Sequence, residues 1–208
     1  MLAEEAESCA RLAVTLDVGT IDTIRLTMRL LVPVDNGGCP EDIEWHFIGH
    51  LQRNKVKQLA AVQGLAMVET VSSQKLADAL NKTFAEQERT VSVLIQVNTS
   101  REENKHGVLE DEVVAVAKHI TASCPALRLC GLMTIGNLEQ SLAPEETNPD
   151  FETLVRCRAA VASELGRDAE ELELSMGMSS DYETAIRQGS TNVRVGSTIF
   201  GARHYAPK

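Results

Sequence analysis

From Glu44 onward, short apolar runs alternate with stretches that are apolar along one side only. The runs are Trp45–Ile48, Met67–Val71, Val91–Val97, Leu127–Ile135, Leu172–Met176 and Asn192–Val195. Several are almost continuously apolar, as strands buried on both faces should be. Between them, Leu76, Ala77, Leu80 and Phe84 repeat at helical spacing behind Ser73. Val113, Val116, Ala117 and Ile120 make a second stripe, and Phe151, Leu154, Val155, Cys157 and Val161 a third. Asn148-Pro149-Asp150 supplies a start signal for that third helix. Regular alternation of strand and helix predicts parallel strands joined by right-handed crossovers. Six such units fit a (β/α)₈ barrel or an open doubly wound sheet. No GxGxxG follows a strand, which weighs against a dinucleotide-binding sheet.

The first 43 residues have a different texture. Leu12–Val18 reads as one strand, and Ile21, Ile24, Met28 and Leu31 share one helix face that Thr20 could cap. Pro33 and Gly37-Gly38 break the chain beyond that helix. Val32–Asp42 reads as loop and is too short for a second crossover. The expectation is a divergent segment, residues 1–43, holding one β/α unit and continuous with a domain over residues 44–208. The strand count reaches seven, one short of a full barrel.

Composition narrows the classes of function. Thirty acidic against 20 basic residues give a net charge of −10, a poor match to a phosphate backbone, so no nucleic-acid partner is expected. No apolar run approaches the roughly 20 residues that span a bilayer. Glu4, Glu5 and Glu7 fit neither a secretory signal nor a transit peptide, so the expected location is cytoplasmic. The five cysteines, Cys9, Cys39, Cys124, Cys130 and Cys157, include no CxxC pair and indicate neither a disulfide framework nor a zinc knuckle. Acceptor tripeptides at Asn81 and Asn98 carry little weight without a signal peptide. Aromatic residues are only 3% of the chain, too few for a base-stacking surface.

Two segments are equipped to hold a phosphate. Ser175–Asp181 runs from a strand through Gly177 into Ser179 and Ser180, and Val193–Gly201 runs through Gly196, Ser197 and Thr198. Glycine admits an anion close to the backbone, and hydroxyls with free helix N–H groups satisfy its oxygens. They follow the last two strands, where (β/α)₈ barrels commonly carry a phosphate site. Either loop alone reads as an ordinary helix cap or turn; the adjacent pair favours the phosphate. Arg194 lies inside an apolar strand, where an unpaired charge is costly. Facing inward it needs a carboxylate, a phosphate or a ring nitrogen; facing outward, a helix carboxylate suffices. His46 and His50 lie four apart without a third ligand and read as structural or substrate-contacting, not as a metal site. Glu102, Glu103 and Lys105 read foremost as a solvated charged loop, although their position on the βα side is also where barrels keep active-site residues.

Several of these segments together resemble a known family. Trp45–Gln52 with Asn54-Lys55, Glu69-Thr70-Val71, Gln96-Val97-Asn98 with Glu103, Lys105 and Gly107, and Gly131–Gly136 match it in order. The most specific matches are Leu174–Asp181 and Gly189–Gly201. The chain is similar over residues 44 to 205 to the pyridoxal 5′-phosphate (PLP) homeostasis proteins, single-domain barrels related to the N-terminal domain of alanine racemase. The resemblance implies an α/β, (β/α)₈-type barrel, incomplete or irregular at its N-terminal strands. It implies that Ser179, Gly196 and Ser197 hold the PLP phosphate, that Met178 packs beside it, and that Arg194 faces the pyridine nitrogen. Ser180, Thr198, His50 and Met133 are weaker members of the same set. An arginine at the ring nitrogen keeps it unprotonated and weakens the ring as an electron sink.

The family's first strand carries Val-Ser-Lys-Thr, whose lysine forms a Schiff base with PLP, and its second carries Phe-Gly-Glu-Asn. Neither motif is present. The first lysine of the chain is Lys55, and Leu16 falls near the position of the missing one. The resemblance therefore implies PLP binding for cofactor buffering or delivery, without a covalent link and without catalysis. PLP-dependent enzymes are the implied recipients, and the chain is expected to be a monomer or weakly self-associating. The competing readings are a variant that has lost PLP and acts through partner contacts, and a PLP-dependent racemase. A racemase needs a lysine base and an opposing domain, and neither is read in the sequence.

Overall fold

The computed structural model describes residues 11–12, 44–102, 105–137 and 147–200. Leu16, the helix expected over Ile21–Leu31, Glu103 and Gly201 lie outside these residues. The strands are β1 (Arg11–Leu12), β2 (Trp45–Phe47), β3 (Leu65–Val71), β4 (Val91–Gln96), β5 (Leu127–Met133), β6 (Glu173–Met178) and β7 (Asn192–Arg194). They form one parallel sheet in the order β1-β7-β6-β5-β4-β3-β2. The helices are α1 (Val56–Ala60), α2 (Gln74–Glu86), α3 (Val113–Ser123), α4 (Pro149–Leu165), α5 (Tyr182–Arg187) and α6 (Ser197–Phe200). Short 3-10 turns precede α1 and β6.

Local chemistry sets the boundaries. The Ser73 hydroxyl accepts from the Leu76 N–H and starts α2. Asn148 Oδ1 accepts from the Asp150 N–H, and Pro149 opens α4 without a missing partner. β6 extends two residues past the expected Met176, because Met178 still stands in register with Arg194 on β7.

β4 is buried at every position and illustrates how the sheet divides its two faces. Val91, Val93 and Ile95 join the large core beneath the helices. Leu94 turns the other way, into a small interior cluster with Ile48, Met67 and Met133. The expected inner member Met133 thus belongs to the apolar floor of the barrel. Above that floor the interior is polar. Ser175 on β6 donates to Glu69 Oε2 on β3 at 2.6 Å, and Asn192 on β7 donates to Glu69 Oε1 at 3.3 Å. In a flat sheet β3 and β6 would be about 14 Å apart, at three strand spacings. The contacts require the sheet to curl, so this is a barrel wall in which β1 and β2 are the two ends.

The correct fold class is therefore the incomplete barrel, not the open doubly wound sheet. Seven strands are present among the described residues.

Candidate functional site

Parallel strands place all their C-terminal ends on one edge, and the polar interior opens there. Val193 and Val195 pack into the core under the helices, which turns Arg194 inward. Its side chain is enclosed, 3% exposed. Nη1 donates to Ser175 Oγ at 2.7 Å and Nη2 to the Thr134 carbonyl at 2.8 Å. Ser175 donates in turn to Glu69, so one hydroxyl relays the cation to a fully buried carboxylate. His46 Nδ1 lies 2.8 Å from the other Glu69 oxygen. Burial pushes the Arg194 guanidinium down from its ordinary value, and the charges of Glu69 and Asp181 oppose that shift. Arginine remains a cation under such conditions.

The two glycine–hydroxyl loops open on the same edge and touch. The Gly196 N–H donates to Ser179 Oγ at 3.0 Å. The Met178 N–H donates to Asp181 Oδ1 at 2.6 Å, which draws the turn before α5 tight. Asp181 directs its carboxylate backwards and makes no side-chain cap on α5. Ser180, Ser197 and Thr198 are exposed at the rim. A Cβ added at Gly196 meets nothing within 4 Å, so among the described residues open space adjoins its backbone.

A cavity of about 340 Å³ lies at the ends of β2, β4 and β5, within the size range of small-ligand sites. Gly49, His50, Asn98, Lys105, His106 and Thr134 are among its lining residues. It does not include the loops after β6 and β7. Thr134 joins the two regions, since its carbonyl binds Arg194 while its hydroxyl meets Thr99 at 2.9 Å.

The loop at Glu102 and Lys105 is half-exposed, as a charged loop should be, and Lys105 also lines the cavity on the side where barrels keep active-site residues. Gly107, at φ +136°, brings this loop so close to β4 that a Cβ would meet Asn98 N at 2.7 Å. The loop folds back over the cavity, where Gln96 donates to the His106 carbonyl at 2.9 Å and Asn98 to that of Glu102 at 2.9 Å. Lys105 donates to the Gly136 carbonyl at 2.8 Å and pairs with Glu102. Lys105 and then Ser100 hold the Glu102 carboxyl below its ordinary value. Glu103 lies outside the described residues.

His46 and His50 part company. His46 faces Glu69 inside the barrel, whereas His50 stacks on His106 at the cavity mouth, with ring centroids 3.7 Å apart and planes inclined by 17°. Burial, then the neighbouring His106 charge, pushes His50 below its ordinary pKa. Glu69, Ser175 and Thr134 stand in segments the sequence analysis named, but only the structure joins them to Arg194, and His106, which stacks on His50, was not singled out. For Glu69 a signal existed, because it interrupts an apolar strand as Arg194 does.

Comparison with known proteins assigns this barrel to a class. The chain belongs to the family of alanine racemase N-terminal domains, which matches residues 42–204. Within that class it belongs with the pyridoxal phosphate homeostasis proteins. The mouse protein of that name is 52% identical over 172 residues, covering 82% of this chain and 62% of the mouse chain. The Caenorhabditis elegans protein is 46% identical over 170 residues, covering 80% and 69% respectively. The chain thus spans about 62% of the length of its mammalian relatives. Among solved structures, PipY of Synechococcus elongatus with PLP bound superposes at a TM-score of 0.70, with 24% identity and 96% of both chains covered. Alanine racemase from Corynebacterium glutamicum superposes at 0.58, with 19% identity, over 90% of this chain and 47% of the other. These two likenesses are of fold.

Among the described residues no helix is long and apolar enough to cross a membrane.

Proposed function

We propose that the chain binds PLP at the C-terminal edge of the barrel and serves to buffer or deliver it, without chemical turnover of its own. The observation that carries this reading is the meeting of the two loops, Gly196 N–H against Ser179 Oγ at 3.0 Å, at the edge where Arg194 is buried. Ser179, Gly196 and Ser197 would hold the phosphate, with Ser180 and Thr198 at the rim and Met178 beside it. The residues present fit such a ligand: open space adjoins the Gly196 backbone, and the guanidinium is fixed from two sides. Bound PLP supplies an electrophilic aldehyde and an electron-accepting ring. Arg194 holds a proton on its own nitrogen and offers hydrogen bonds to a ring nitrogen, which leaves that nitrogen unprotonated. His50 and Met133 stand further off, at the cavity mouth and in the floor.

The relatives' shared name is that of homeostasis proteins, and the fold is also that of racemases. The missing first-strand lysine, with Leu16 near its position, favours non-covalent retention in this chain over catalysis. PLP-dependent enzymes in the cytoplasm are the proposed recipients.

The test is equilibrium binding of PLP and of inorganic phosphate to the wild type, Arg194→Ala and Arg194→Gln. The glutamine variant keeps donors in the interior if alanine proves too disruptive. Arg194 loss should weaken PLP at least about tenfold, the size of one charge-assisted contact, and leave phosphate nearly unchanged. Equal losses would make Arg194 a phosphate clamp. Borohydride treatment followed by peptide mapping should find no stoichiometric pyridoxyl-lysine, and one fully modified lysine would refute the non-covalent reading.

A further inference from the structure

Away from the barrel mouth, in the helix layer, Asp78, His119 and Cys124 converge between α2 and α3. One carboxylate oxygen, one imidazole nitrogen and the thiol sulfur all lie within 4.8 Å of one another. His119 Nε2 is 2.6 Å from Asp78 Oδ1, and Cys124 Sγ is 4.0 Å from the same oxygen. None of the three lines the cavity or meets the phosphate loops, and the interior network already described has no use for them.

Their arrangement is held from several sides. Cys124 ends α3, where its N–H donates to Ile120 at 3.0 Å and its carbonyl accepts from Leu127 at 2.9 Å. Asn81, on α2, accepts from the Ala126 N–H at 2.9 Å and so fastens that turn to the helix carrying Asp78. The sulfur is therefore positioned by backbone bonds on both sides of it. Cys124 is 1% exposed, while the side chains of His119 and Asp78 are 26% and 57% exposed. The cluster has a closed sulfur end and an open carboxylate end.

We propose that Asp78, His119 and Cys124 form a divalent metal site of the zinc class, with water completing a tetrahedron on the open side. Mixed sulfur, nitrogen and oxygen donors suit zinc and disfavour calcium or magnesium, which take oxygen. Zinc bond lengths of about 2.0–2.3 Å put tetrahedral ligands about 3.3–3.6 Å apart. The Asp78–His119 pair need open by less than about 1 Å, while Cys124 closes by about 0.5 Å on Asp78 and by no more than about 1.3 Å on His119. On binding, the His119 proton resides on Nδ1 so that Nε2 presents its lone pair, and the Cys124 thiol gives its proton to solvent. The Asp78–His119 hydrogen bond is exchanged for two bonds to the ion. Three protein ligands and one water leave an exchangeable position, as in sites that are more than structural.

The test is titration of the full chain with Co²⁺, followed by displacement with Zn²⁺. The expected result is saturable one-to-one binding with a thiolate-to-cobalt charge-transfer band that equimolar Zn²⁺ removes. Cys124→Ser should abolish the band, while Cys130→Ser and Cys157→Ser keep it. Asp78→Asn and His119→Gln stand at solvent-accessible positions that keep the fold, and each should weaken binding by at least about tenfold. Circular dichroism checks the fold of every variant. A band that survives Cys124→Ser, or affinity unchanged within about twofold in both the Asp78 and His119 variants, overturns the site. So does the absence of saturable one-to-one binding.

Discussion

Gly196 and His50 show what single positions do at the barrel mouth. Among the described residues the space beside Gly196 is open, so Gly196→Ala should cost the fold less than about 0.5 kcal/mol, as expected where nothing is compressed. The same methyl group would stand where an anion must approach the backbone. Its expected effect is a clear loss of PLP and phosphate affinity at unchanged melting temperature, read by paired calorimetry and thermal denaturation. His50 makes a different prediction. Its pKa lies below the ordinary value of 6.5 because of burial and the His106 charge. Between the two pKa values the unfolded chain binds more protons, so stability rises with pH through that window and falls as the pH drops below 6.5. An NMR titration should find the His50 midpoint below 6.5 and moving upward in His106→Ala; an unmoved midpoint would remove the stack as a cause.

Among the elements, the β5–β6 pairing has the least tolerance. A Cβ on Gly131 would lie 2.1 Å from the Glu173 carbonyl oxygen and 2.5 Å from its nitrogen. These are backbone atoms of the adjacent strand and cannot swing aside. Gly131→Ala should therefore cost at least about 2–3 kcal/mol, at the upper end for overpacking, measured by urea denaturation. The elements themselves were largely legible in the sequence. Ser73 and Asn148 marked helix starts because their side chains cap, and the apolar runs marked strands because both faces are buried. The loop from Glu102 to Gly107 was only partly legible: Glu103, Lys105 and Gly107 stood out in the family pattern, but not the reach of Lys105 over the cavity. Its charges resembled solvated ones, and only the close approach permitted by Gly107 places Lys105 over the cavity. Arg194 stood out in the sequence by its setting, but its link to Glu69 through Ser175 joins positions more than 100 residues apart. No periodicity reports such a contact.

At the scale of the whole molecule, Glu69 ties the curl of the sheet to two side-chain partners across the barrel, Ser175 and Asn192, while His46 reaches it from the neighbouring strand. Glu69→Gln keeps the shape and removes the charge that faces Arg194. The expected loss is about 3 kcal/mol, typical of an interior charge deprived of compensation. It should appear as a lower denaturant midpoint with an unchanged slope.

The same carboxylate has a kinetic consequence. Glu69 lies on the third strand in chain order, and its partners on β6 and β7 follow it by 106 and 123 residues. Until those strands dock, the carboxylate keeps its hydration shell, since stripping it without partners is prohibitive. The N-terminal half can stack its helices on its strands early, but its inner face has to stay wet. The final curling of the sheet thus belongs to the end of folding, after a long loop-closure search. In the cell it awaits the emergence of Asn192 from the ribosome, long after Glu69 itself has left the exit tunnel.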